Sequence, residues 1–240
     1  HDMTYQEPNL ELIDEWAEAW SYSLIKASNK LAMEKGACPK TMETKYGHGI
    51  TPNQTYKKEV DELVKHKERQ NWKELRKNLK EHGIRNSTLM ALMPAETSAQ
   101  ISNSTNGIEP PRGYISIKQS KHGVLKQVVP GFPYYKNKYD LLWDQKSPEG
   151  YLKIMAVLQK YIDQGISVNT SYNPEHYEDE KIPMSVLIQD LLMFYKYGGK
   201  QLYYNNTYDG QGEIDINKDD KLEDLPLGEI DDEDCESCKI

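Results

Sequence analysis

One stretch, residues 86–113, constrains this chain more than any other, because an apolar run inside it ends abruptly at a proline. The run from Thr88 to Met93 contains no turn residue, a pattern typical of a strand buried on both faces. The residues after Pro94 then predict a short helix. Backbone N–H groups at a helix start attract anions, so this junction is a candidate phosphate cradle. Ordinary capping by a hydroxyl side chain explains the same few residues, since short motifs often match by chance.

Composition narrows the class of protein. With 240 residues, of which 37% are hydrophobic, the chain is long enough to bury a core of one large or two small domains. A net charge of −8 argues against a nucleic-acid binder, which needs basic side chains to neutralise phosphates. No apolar run approaches the roughly 20 residues of a membrane helix, so we expect a soluble protein with no membrane partner. Three cysteines make no disulfide scaffold and indicate a reducing cytoplasm.

Helix signals organise the first third of the sequence. Asn9 is a suitable cap for a long helix that ends at Gly36 and turns an apolar stripe toward the core. That stripe consists of Leu12, Ile13, Trp16, Ala17, Trp20, Leu24, Ala27 and Leu31. Capping-box spacing predicts a second helix over residues 51–64 and a third over 71–83.

Strands and helices alternate after the central stretch. The predicted elements are, in chain order, a hairpin of strands 113–118 and 124–129, a short helix 139–143, a helix 147–165, a strand 166–172, a helix 184–197 and a strand 201–205. Two strands separated by a helix of this length suggest a right-handed parallel crossover, so we predict an α/β fold. The last helix is expected to be amphipathic, with one apolar face formed by Met184, Leu187, Ile188, Leu191, Phe194 and Tyr195.

The composition changes after Tyr208, where the chain becomes acidic and contains no further aromatic residue. Such a segment buries too little apolar surface to offset its ordering entropy, so we predict a folded segment over residues 1–207 and a mobile tail over 208–240. The tail ends in a Cys-x-x-Cys pair, Cys235 and Cys238. Zinc would need a second ligand pair, and the histidines lack ligand spacing, so the pattern favours a redox pair and predicts no metal.

The central stretch also resembles a known family. From Leu92 it reads Leu-Met-Pro-Ala-Glu-Thr-Ser-Ala-Gln-Ile-Ser-Asn-Ser-Thr-Asn-Gly-Ile-Glu-Pro-Pro-Arg-Gly, which resembles the large (alpha) catalytic subunit of class I ribonucleotide reductase over roughly twenty positions. The resemblance implies the C-terminal segment of such a subunit, with part of the family's ten-stranded α/β barrel and a disordered acidic C-terminal tail. The family's Pro-x-Glu-Thr-Ser segment holds the substrate's diphosphate. The matching substrate-binding residues are Pro94, Ala95, Glu96, Thr97 and Ser98.

A second part of the resemblance is the sequence Gln-Leu-Tyr-Tyr-Asn-Asn-Thr at residues 201–207. On pattern alone, the adjacent Tyr203 and Tyr204 would point to opposite faces of a strand, one ring in the core and one outside. The family uses such a pair to pass a radical inward from its small subunit. The resemblance therefore implies that Tyr204 faces that subunit and that Tyr203 lies next to the catalytic thiol.

The resemblance also implies partners. The family's C-terminal cysteine pair re-reduces the active site and is itself reduced by thioredoxin or glutaredoxin, which implies this role for Cys235 and Cys238. Their spacing is shorter than in some relatives, a departure that could alter the redox potential but not the role. We expect no cofactor on this chain, because the family's diiron-tyrosyl radical belongs to the small (beta) subunit.

Several catalytic groups of the family have no counterpart in this sequence. The thiyl-forming cysteine, the reducing cysteine pair, the active-site glutamate and asparagine and the allosteric domain belong to its N-terminal part, and Cys38 matches a non-catalytic position. The implied activity is reduction of ribonucleoside diphosphates to 2′-deoxyribonucleoside diphosphates for DNA synthesis. It would require the N-terminal part of the large subunit as well as the small subunit.

Two other functions are compatible with the sequence. One is a non-catalytic binding or assembly module of the same fold. The other is a thiol oxidoreductase, although its Cys-x-x-Cys pair would lie on a tail rather than at a strand-to-helix junction. The chain begins His1-Asp2 without an initiator Met, which suggests a tagged, processed or excised piece. The N-terminal part is accordingly either a separate polypeptide of a split gene or a portion that this sequence does not include.

Overall fold

The computed structural model describes residues 4–120 and 123–209, except for the side chains of Glu96 and of residues 117–125. The helices of this part of the chain are α1 (Leu10–Lys35), α2 (Pro52–Thr55), α3 (Trp72–His82), α4 (Glu96–Ile101), α5 (Phe132–Tyr135), α6 (Glu149–Gln159) and α7 (Met184–Lys196). Its strands are β1 (Ile115–Ser120), β2 (Gly123–Val128), β3 (Thr170–Tyr172) and β4 (Asn205–Thr207). Within these ranges, no helix combines the length and the apolar composition that crossing a bilayer requires.

Local side-chain chemistry sets the ends of the long helices. Asn9 accepts a 3.1 Å hydrogen bond from the Leu12 N–H at the start of α1. Asn71 accepts one of 3.3 Å from the Glu74 N–H at the start of α3. Gly36 follows α1 with a φ of 84°, a conformation that glycine adopts without the penalty of a Cβ atom. The predicted first and third helices are thus confirmed.

Three parallel segments form the centre of the fold. The middle segment consists of residues 166–172. On one of its edges, the Ser167 N–H donates to the Leu92 carbonyl at 2.9 Å. On its other edge, the Thr170 N–H donates to the Tyr204 carbonyl at 2.9 Å, and β3 pairs in parallel with β4. Odd and even residues of a strand direct their N–H groups to opposite edges, so the two neighbours flank the middle segment. The parallel pairing predicted across α7 is therefore confirmed.

The remaining strands and the main helices complete an α/β fold. β1 and β2 form the predicted antiparallel hairpin, with Ile115 opposite Val128. α6 packs against α1 and α7, and α1 also packs against α3. The core between them is made of fully buried apolar side chains, among them Trp72, Leu79, Ile84, Leu152 and Val157.

The face of α1 that turns inward differs from the prediction. Trp16 and Trp20, placed in the core-facing stripe, are 48% and 43% exposed. The buried face instead carries several polar side chains, namely Asp14, Glu18, Ser21, Ser28 and Asn29. The predicted stripe is confirmed at Ala17, which is buried, and wrong at Trp16 and Trp20. The polar side chains can be buried instead because they find partners elsewhere in the fold, so their burial leaves no unsatisfied group.

A cluster of charged side chains links this face of α1 to the end of α6. Lys160 Nζ donates to Asp14 Oδ1 at 2.7 Å, and the Tyr161 hydroxyl donates to the same oxygen at 2.9 Å. Arg69 places one guanidinium nitrogen 2.8 Å from Asp14 and 3.0 Å from Glu18. The buried carboxylates of Asp14 and Glu18 are thus each paired with a cation, which is the condition for burying charge at acceptable cost.

The helix predicted over residues 51–64 is interrupted. Only α2 and a 3-10 turn at Lys58–Glu62 form there, and Tyr56 between them has extended backbone angles of −74° and 164°. The Tyr56 hydroxyl donates to Asp61 at 2.9 Å. This contact fixes a bend in the chain where the sequence pattern alone predicted a continuous helix.

The short helix predicted over residues 139–143 is also wrong. α5 forms earlier, within what was expected to be a surface connection, and only a 3-10 turn is found at Leu142–Asp144. The Leu142 N–H donates to the Pro111 carbonyl at 2.9 Å. That long-range bond takes the amide away from helical pairing.

Two predicted strands are less regular than expected. In the run from Thr88 to Met93, Leu92 forms an isolated bridge to Ile166, and Met93 is exposed, so the segment is not buried on both faces. The physical reason is that, among the described residues, no strand pairs with its outer edge. The strand predicted over residues 201–205 begins in the structure at Asn205.

The predicted apolar face of α7 lies largely at the surface. Of its six residues, Met184, Ile188, Leu191 and Tyr195 are exposed and only Phe194 is fully buried. On the inner side of the helix, the buried Asp190 accepts a 2.8 Å hydrogen bond from the Tyr172 hydroxyl. A polar anchor thus seats α7 against β3 and leaves apolar side chains outward.

Candidate functional site

The predicted strand-to-helix junction is present. Residues 94–98 follow the Leu92 bridge directly, with Ala95 preceding the first residue of α4, Glu96. Pro94, Ala95, Thr97 and Ser98 are all exposed. An exposed helix start flanked by two hydroxyl side chains has the chemistry to hold an anion.

Asp163 fixes the approach to this junction. Its carboxylate accepts hydrogen bonds from the Leu89 N–H at 2.9 Å and the Met90 N–H at 3.0 Å. It also accepts from the Tyr46 hydroxyl at 2.7 Å, and burial followed by the charge of Asp163 raises the pKa of Tyr46 far above its usual range. Asp163 therefore clamps the backbone that leads to Pro94.

The loop after α4, residues 102–113, folds back on the junction. The Ala95 N–H donates to the Asn106 carbonyl at 2.6 Å. Further along the loop, the Tyr5 hydroxyl donates to the Ile108 carbonyl, which ties the loop to the start of the chain. These bonds connect the loop to the helix start at Ala95 and to the beginning of the chain.

The tyrosine pair lies immediately before β4, and both rings are at the surface. Tyr203 is 63% exposed and Tyr204 is 52% exposed. Their ring centroids are 4.3 Å apart, with the planes at 66°. The pattern-based expectation of one core ring and one outer ring was wrong, because the regular ladder that alternates side chains between faces begins only at Asn205.

The junction and the tyrosine pair lie at the same level of the parallel segments. Leu92 is paired with Ile166 and Asn205 with Thr170. The Ser167 N–H donates to the Leu92 carbonyl and the Tyr203 N–H donates to the Val168 carbonyl, so Leu92 and Tyr203 bond to adjacent residues of the middle segment. One strand lies between them, which corresponds to about 10 Å across the sheet. The structure thus brings the two predicted groups of residues to one region of the surface.

Glu109 and Asn169, which the sequence did not single out as site residues, lie between these two groups. The Asn169 side chain donates to the Glu109 carboxylate and accepts from the Tyr204 N–H at 3.0 Å. Burial raises the pKa of the Glu109 carboxyl, while the hydrogen bond from Asn169 and the charge of Arg112 oppose the rise. Glu109 could have been found within the matching motif, whereas Asn169 is one of several polar residues in the predicted strand 166–172 and carried no distinguishing signal.

A shallow pocket opens beside this pair. Its lining consists of Glu109, Pro110, Leu142, Gln145, Pro148, Tyr151, Asn169 and Ser171. None of residues 94–98 lines it, so the pocket is separate from the candidate phosphate cradle. Burial, reinforced by the charge of Glu109, raises the pKa of the Tyr151 hydroxyl well above its usual range, so this hydroxyl stays protonated.

The cysteines and metal-binding residues provide no further site in the described ranges. Cys38 is half-buried with a free thiol and belongs to the periphery of the core. Among residues 4–120 and 123–209, no group of three or more His, Cys, Asp or Glu side chains is arranged to hold a metal ion. Cys235, Cys238 and nearly all of the predicted tail lie outside the described residues.

Comparison with known proteins identifies the relatives of this chain. Residues 1–205 match the family model described as ribonucleotide reductase, barrel domain. The chain is 52% identical over 225 residues to ribonucleoside-diphosphate reductase 1 subunit alpha of Salmonella typhimurium, covering 93% of this chain and 28% of that protein. It is 55% identical over 203 residues to the subunit alpha of Haemophilus influenzae, covering 85% of this chain and 27% of that protein. With the subunit alpha of Enterobacteria phage T4 it shares 42% identity over 239 residues, covering 99% of this chain and 30% of that protein.

These matches agree with the parallel α/β arrangement and with the motif from Leu92 to Gly113. The predicted barrel fold is confirmed by the family match over residues 1–205. The chain spans less than a third of the length of these relatives. It belongs to the ribonucleotide reductase barrel-domain family and corresponds to a segment of the alpha subunit.

Proposed function

We propose that this chain supplies the C-terminal part of the catalytic barrel of a ribonucleoside-diphosphate reductase. The observation that carries the proposal is the match of residues 1–205 to the barrel domain, with the motif of residues 92–113 at the end of a parallel segment. The reaction replaces the 2′-hydroxyl of a ribonucleoside diphosphate by hydrogen, releases water and consumes two electrons and two protons. In the family these come from a dithiol that becomes a disulfide.

Within that reaction, residues 94–98 bind the diphosphate of the substrate. The exposure of Pro94, Ala95, Thr97 and Ser98, the start of α4 and the hydroxyls of Thr97 and Ser98 support this role. Pro94 and Ala95 bring the backbone to the helix start, and Glu96 is the first residue of the helix. The resemblance of the Pro-x-Glu-Thr-Ser segment to its family counterpart supports the same assignment.

Tyr203 and Tyr204 pass the radical between the small subunit and the active site. Each tyrosine loses one electron and the proton of its hydroxyl when it is oxidised, and it recovers both on the return step. The 4.3 Å between the ring centroids supports direct transfer within the pair, and their exposure supports contact with other parts of the assembly. The diiron-tyrosyl cofactor that starts the transfer belongs to the small subunit.

Cys235 and Cys238 return reducing equivalents to the active site. As a dithiol they reduce the active-site disulfide by thiol–disulfide exchange and become a disulfide themselves, which thioredoxin or glutaredoxin then reduces. This proposal rests on the sequence of the tail, an acidic segment that ends in the Cys-x-x-Cys pair. The cysteine content supports a cytoplasmic setting, in which such reductants operate.

Activity requires the remainder of the alpha subunit. Apolar side chains exposed on α1 and α7, such as Trp16, Trp20 and Leu192, support a partner that covers them. The match covers only 28% of the Salmonella typhimurium alpha subunit, which supports the N-terminal part of the same subunit as that partner. The sequence alternatives of an assembly module and a thiol oxidoreductase have no comparable support.

Reconstitution tests the proposal. The chain is mixed with an N-terminal alpha-subunit piece and the small subunit, the complex is weighed by native mass spectrometry, and ribonucleoside diphosphate reduction is assayed with thioredoxin. We expect a stoichiometric complex and turnover only with all components present. A complex without turnover would instead favour the assembly-module alternative, and the absence of any complex would overturn the proposal.

A further inference from the structure

The Asn169 side chain is shared between two parts of the candidate site. Its Oδ1 accepts a 3.0 Å hydrogen bond from the Tyr204 N–H, and its Nδ2 donates to Glu109 Oε1. A backbone N–H can only donate and an ionised carboxylate can only accept. The two partners therefore determine which end of the amide faces which neighbour, and one side chain serves both.

Asn169 acts where the backbone ladder is irregular. The Tyr203 N–H donates to the Val168 carbonyl at 2.7 Å, and the Tyr204 carbonyl accepts from the Thr170 N–H at 2.9 Å. The Tyr204 N–H, between these two bonds, is directed to the Asn169 side chain instead of a backbone carbonyl. The amide thus completes the anchoring of a pair whose rings are mostly exposed.

On its other side, Asn169 reaches the loop that supports the phosphate cradle. Glu109 lies in the same loop as Asn106, whose carbonyl accepts the Ala95 N–H at 2.6 Å. Glu109 is partly buried between this loop and the middle parallel segment. Its bond to Asn169 therefore joins the surface that carries residues 94–98 to the backbone that carries the tyrosines.

We propose that Asn169 is a positioning residue for the tyrosine pair, holding the Tyr204 backbone and tying it through Glu109 to the cradle loop. This inference rests on the proposed function for its effect on catalysis. The anchoring itself is a property of the chain alone, so the two can be tested separately.

The first measurement is the rate of hydrogen exchange at the Tyr204 backbone N–H in the full chain. Asn169→Asp keeps an acceptor for Tyr204 but loses the donor to Glu109 and opposes two carboxylates, so we expect exchange to accelerate by roughly tenfold. In the double variant with Glu109→Gln, the new side-chain amide at position 109 can donate to the carboxylate introduced at position 169. Slow hydrogen exchange at the Tyr204 N–H should then be restored. Asn205→Asp is the matched control, because Asn205 is exposed, accepts from the Thr170 hydroxyl and would add the same charge on the neighbouring strand.

The second measurement is turnover in the reconstituted enzyme. For Asn169→Asp we expect kcat to fall by about tenfold with KM for the substrate unchanged, and the double variant to recover. Unchanged exchange in Asn169→Asp, or accelerated exchange with wild-type kcat, would overturn the positioning role. If the wild-type assembly fails to turn over, the proposed function fails, and the exchange of Tyr204 in the three variants then decides the inference by itself.

Discussion

Lys160 Nζ lies 2.7 Å from Asp14 Oδ1, and neither side chain has any exposed surface. The two residues are separated by most of the chain, one in α1 and the other at the end of α6. Burial without a partner would be costly for either charge, so the pair holds α1 to the end of α6. Tyr161 and Arg69 supply the remaining hydrogen bonds to the same carboxylate.

Removing one member of this pair should destabilise the fold strongly. We expect Lys160→Met to lower the free energy of unfolding by about 3 to 5 kcal/mol, because Asp14 loses a buried partner. Urea denaturation of the full chain measures the change. Lys30→Met is the control, since Lys30 pairs with Glu34 at 3.8 Å on the exposed face of the same helix, and its effect should stay below about 0.5 kcal/mol. Equal effects of the two variants would contradict a structural role for the buried pair.

His66 should make stability depend on pH. Burial, followed by the charges of Lys160 and Lys58, lowers the pKa of His66 from its ordinary value of 6.5, while Asp61 and Glu68 oppose the shift. The unfolded chain therefore binds more protons than the folded chain, so the stability contribution of neutral His66 is lost as pH falls through 6.5 toward the folded pKa.

The comparison of wild type with His66→Gln isolates this effect. Between about pH 8 and about pH 5.5, the free energy of unfolding should fall more in the wild type than in the variant. Urea titrations at both pH values provide the measurement. His82→Gln, at a more exposed position on α3, should keep the wild-type dependence. Identical pH dependence in wild type and His66→Gln would show that His66 does not contribute.

The tyrosine pair can be tested against a second adjacent pair in the same chain. Tyr203→Phe and Tyr204→Phe each remove only a hydroxyl, so fold and substrate binding should persist while turnover of the reconstituted enzyme is abolished. Tyr134 and Tyr135 are also adjacent, exposed and in ring contact, with centroids 6.5 Å apart. Their Phe variants should retain full activity. Near-wild-type turnover in either Tyr203→Phe or Tyr204→Phe would remove these residues from the radical path.

The proposed diphosphate site predicts a loss of substrate affinity. Thr97→Val combined with Ser98→Ala removes two hydroxyls, and each hydrogen bond to a charged group contributes about 1.5 to 3 kcal/mol. The Kd of the substrate in the reconstituted enzyme, measured by equilibrium binding, should therefore rise by at least about tenfold. Ser104→Ala, which removes an exposed hydroxyl from the adjoining loop, is the control. A Kd equal to that of the parent enzyme would rule out this cradle.

The cysteine pair of the tail should matter only after the first turnover. Cys235→Ser with Cys238→Ser should spare a single turnover of pre-reduced, reconstituted enzyme and stop steady-state turnover driven by thioredoxin or glutaredoxin. A small dithiol that enters the active site should partly restore activity. Cys38→Ala, which changes the half-buried thiol near the core, should behave as wild type. Full steady-state activity of the double serine variant with a protein reductant would exclude the shuttle.

Features that depend on neighbouring residues were predictable from the sequence. Asn9 and Asn71 accept hydrogen bonds from amides three residues on, and both predicted helix starts are confirmed. The parallel pairing of β3 with β4 followed from the length of the intervening helix. The strand-to-helix junction at Pro94 was predictable for the same reason, because a proline and a helix start are local signals.

Features that depend on partners distant in the sequence were not predictable from the sequence. Periodicity predicted that Trp16 and Trp20 face the core. Asp14 faces it instead, because its carboxylate is paired there with Lys160, a residue 146 positions later in the sequence. Asn169 likewise acquires its place in the candidate site through Glu109, 60 residues earlier in the chain. A single sequence carries no record of such contacts, so the inward face of α1 and the residues joining the two parts of the site became apparent only in the structure.

The Leu92 segment has a consequence for handling the protein. One edge of this segment pairs with the middle segment through the Ser167 N–H. No strand in the described part of the chain pairs with the other edge. Asp163 already accepts the Leu89 and Met90 N–H groups, so the template for pairing with other copies is the extended backbone beside the exposed Met93. Expressed without the rest of its subunit, the chain should therefore aggregate through this edge, and co-expression with the N-terminal part should improve its recovery from cells.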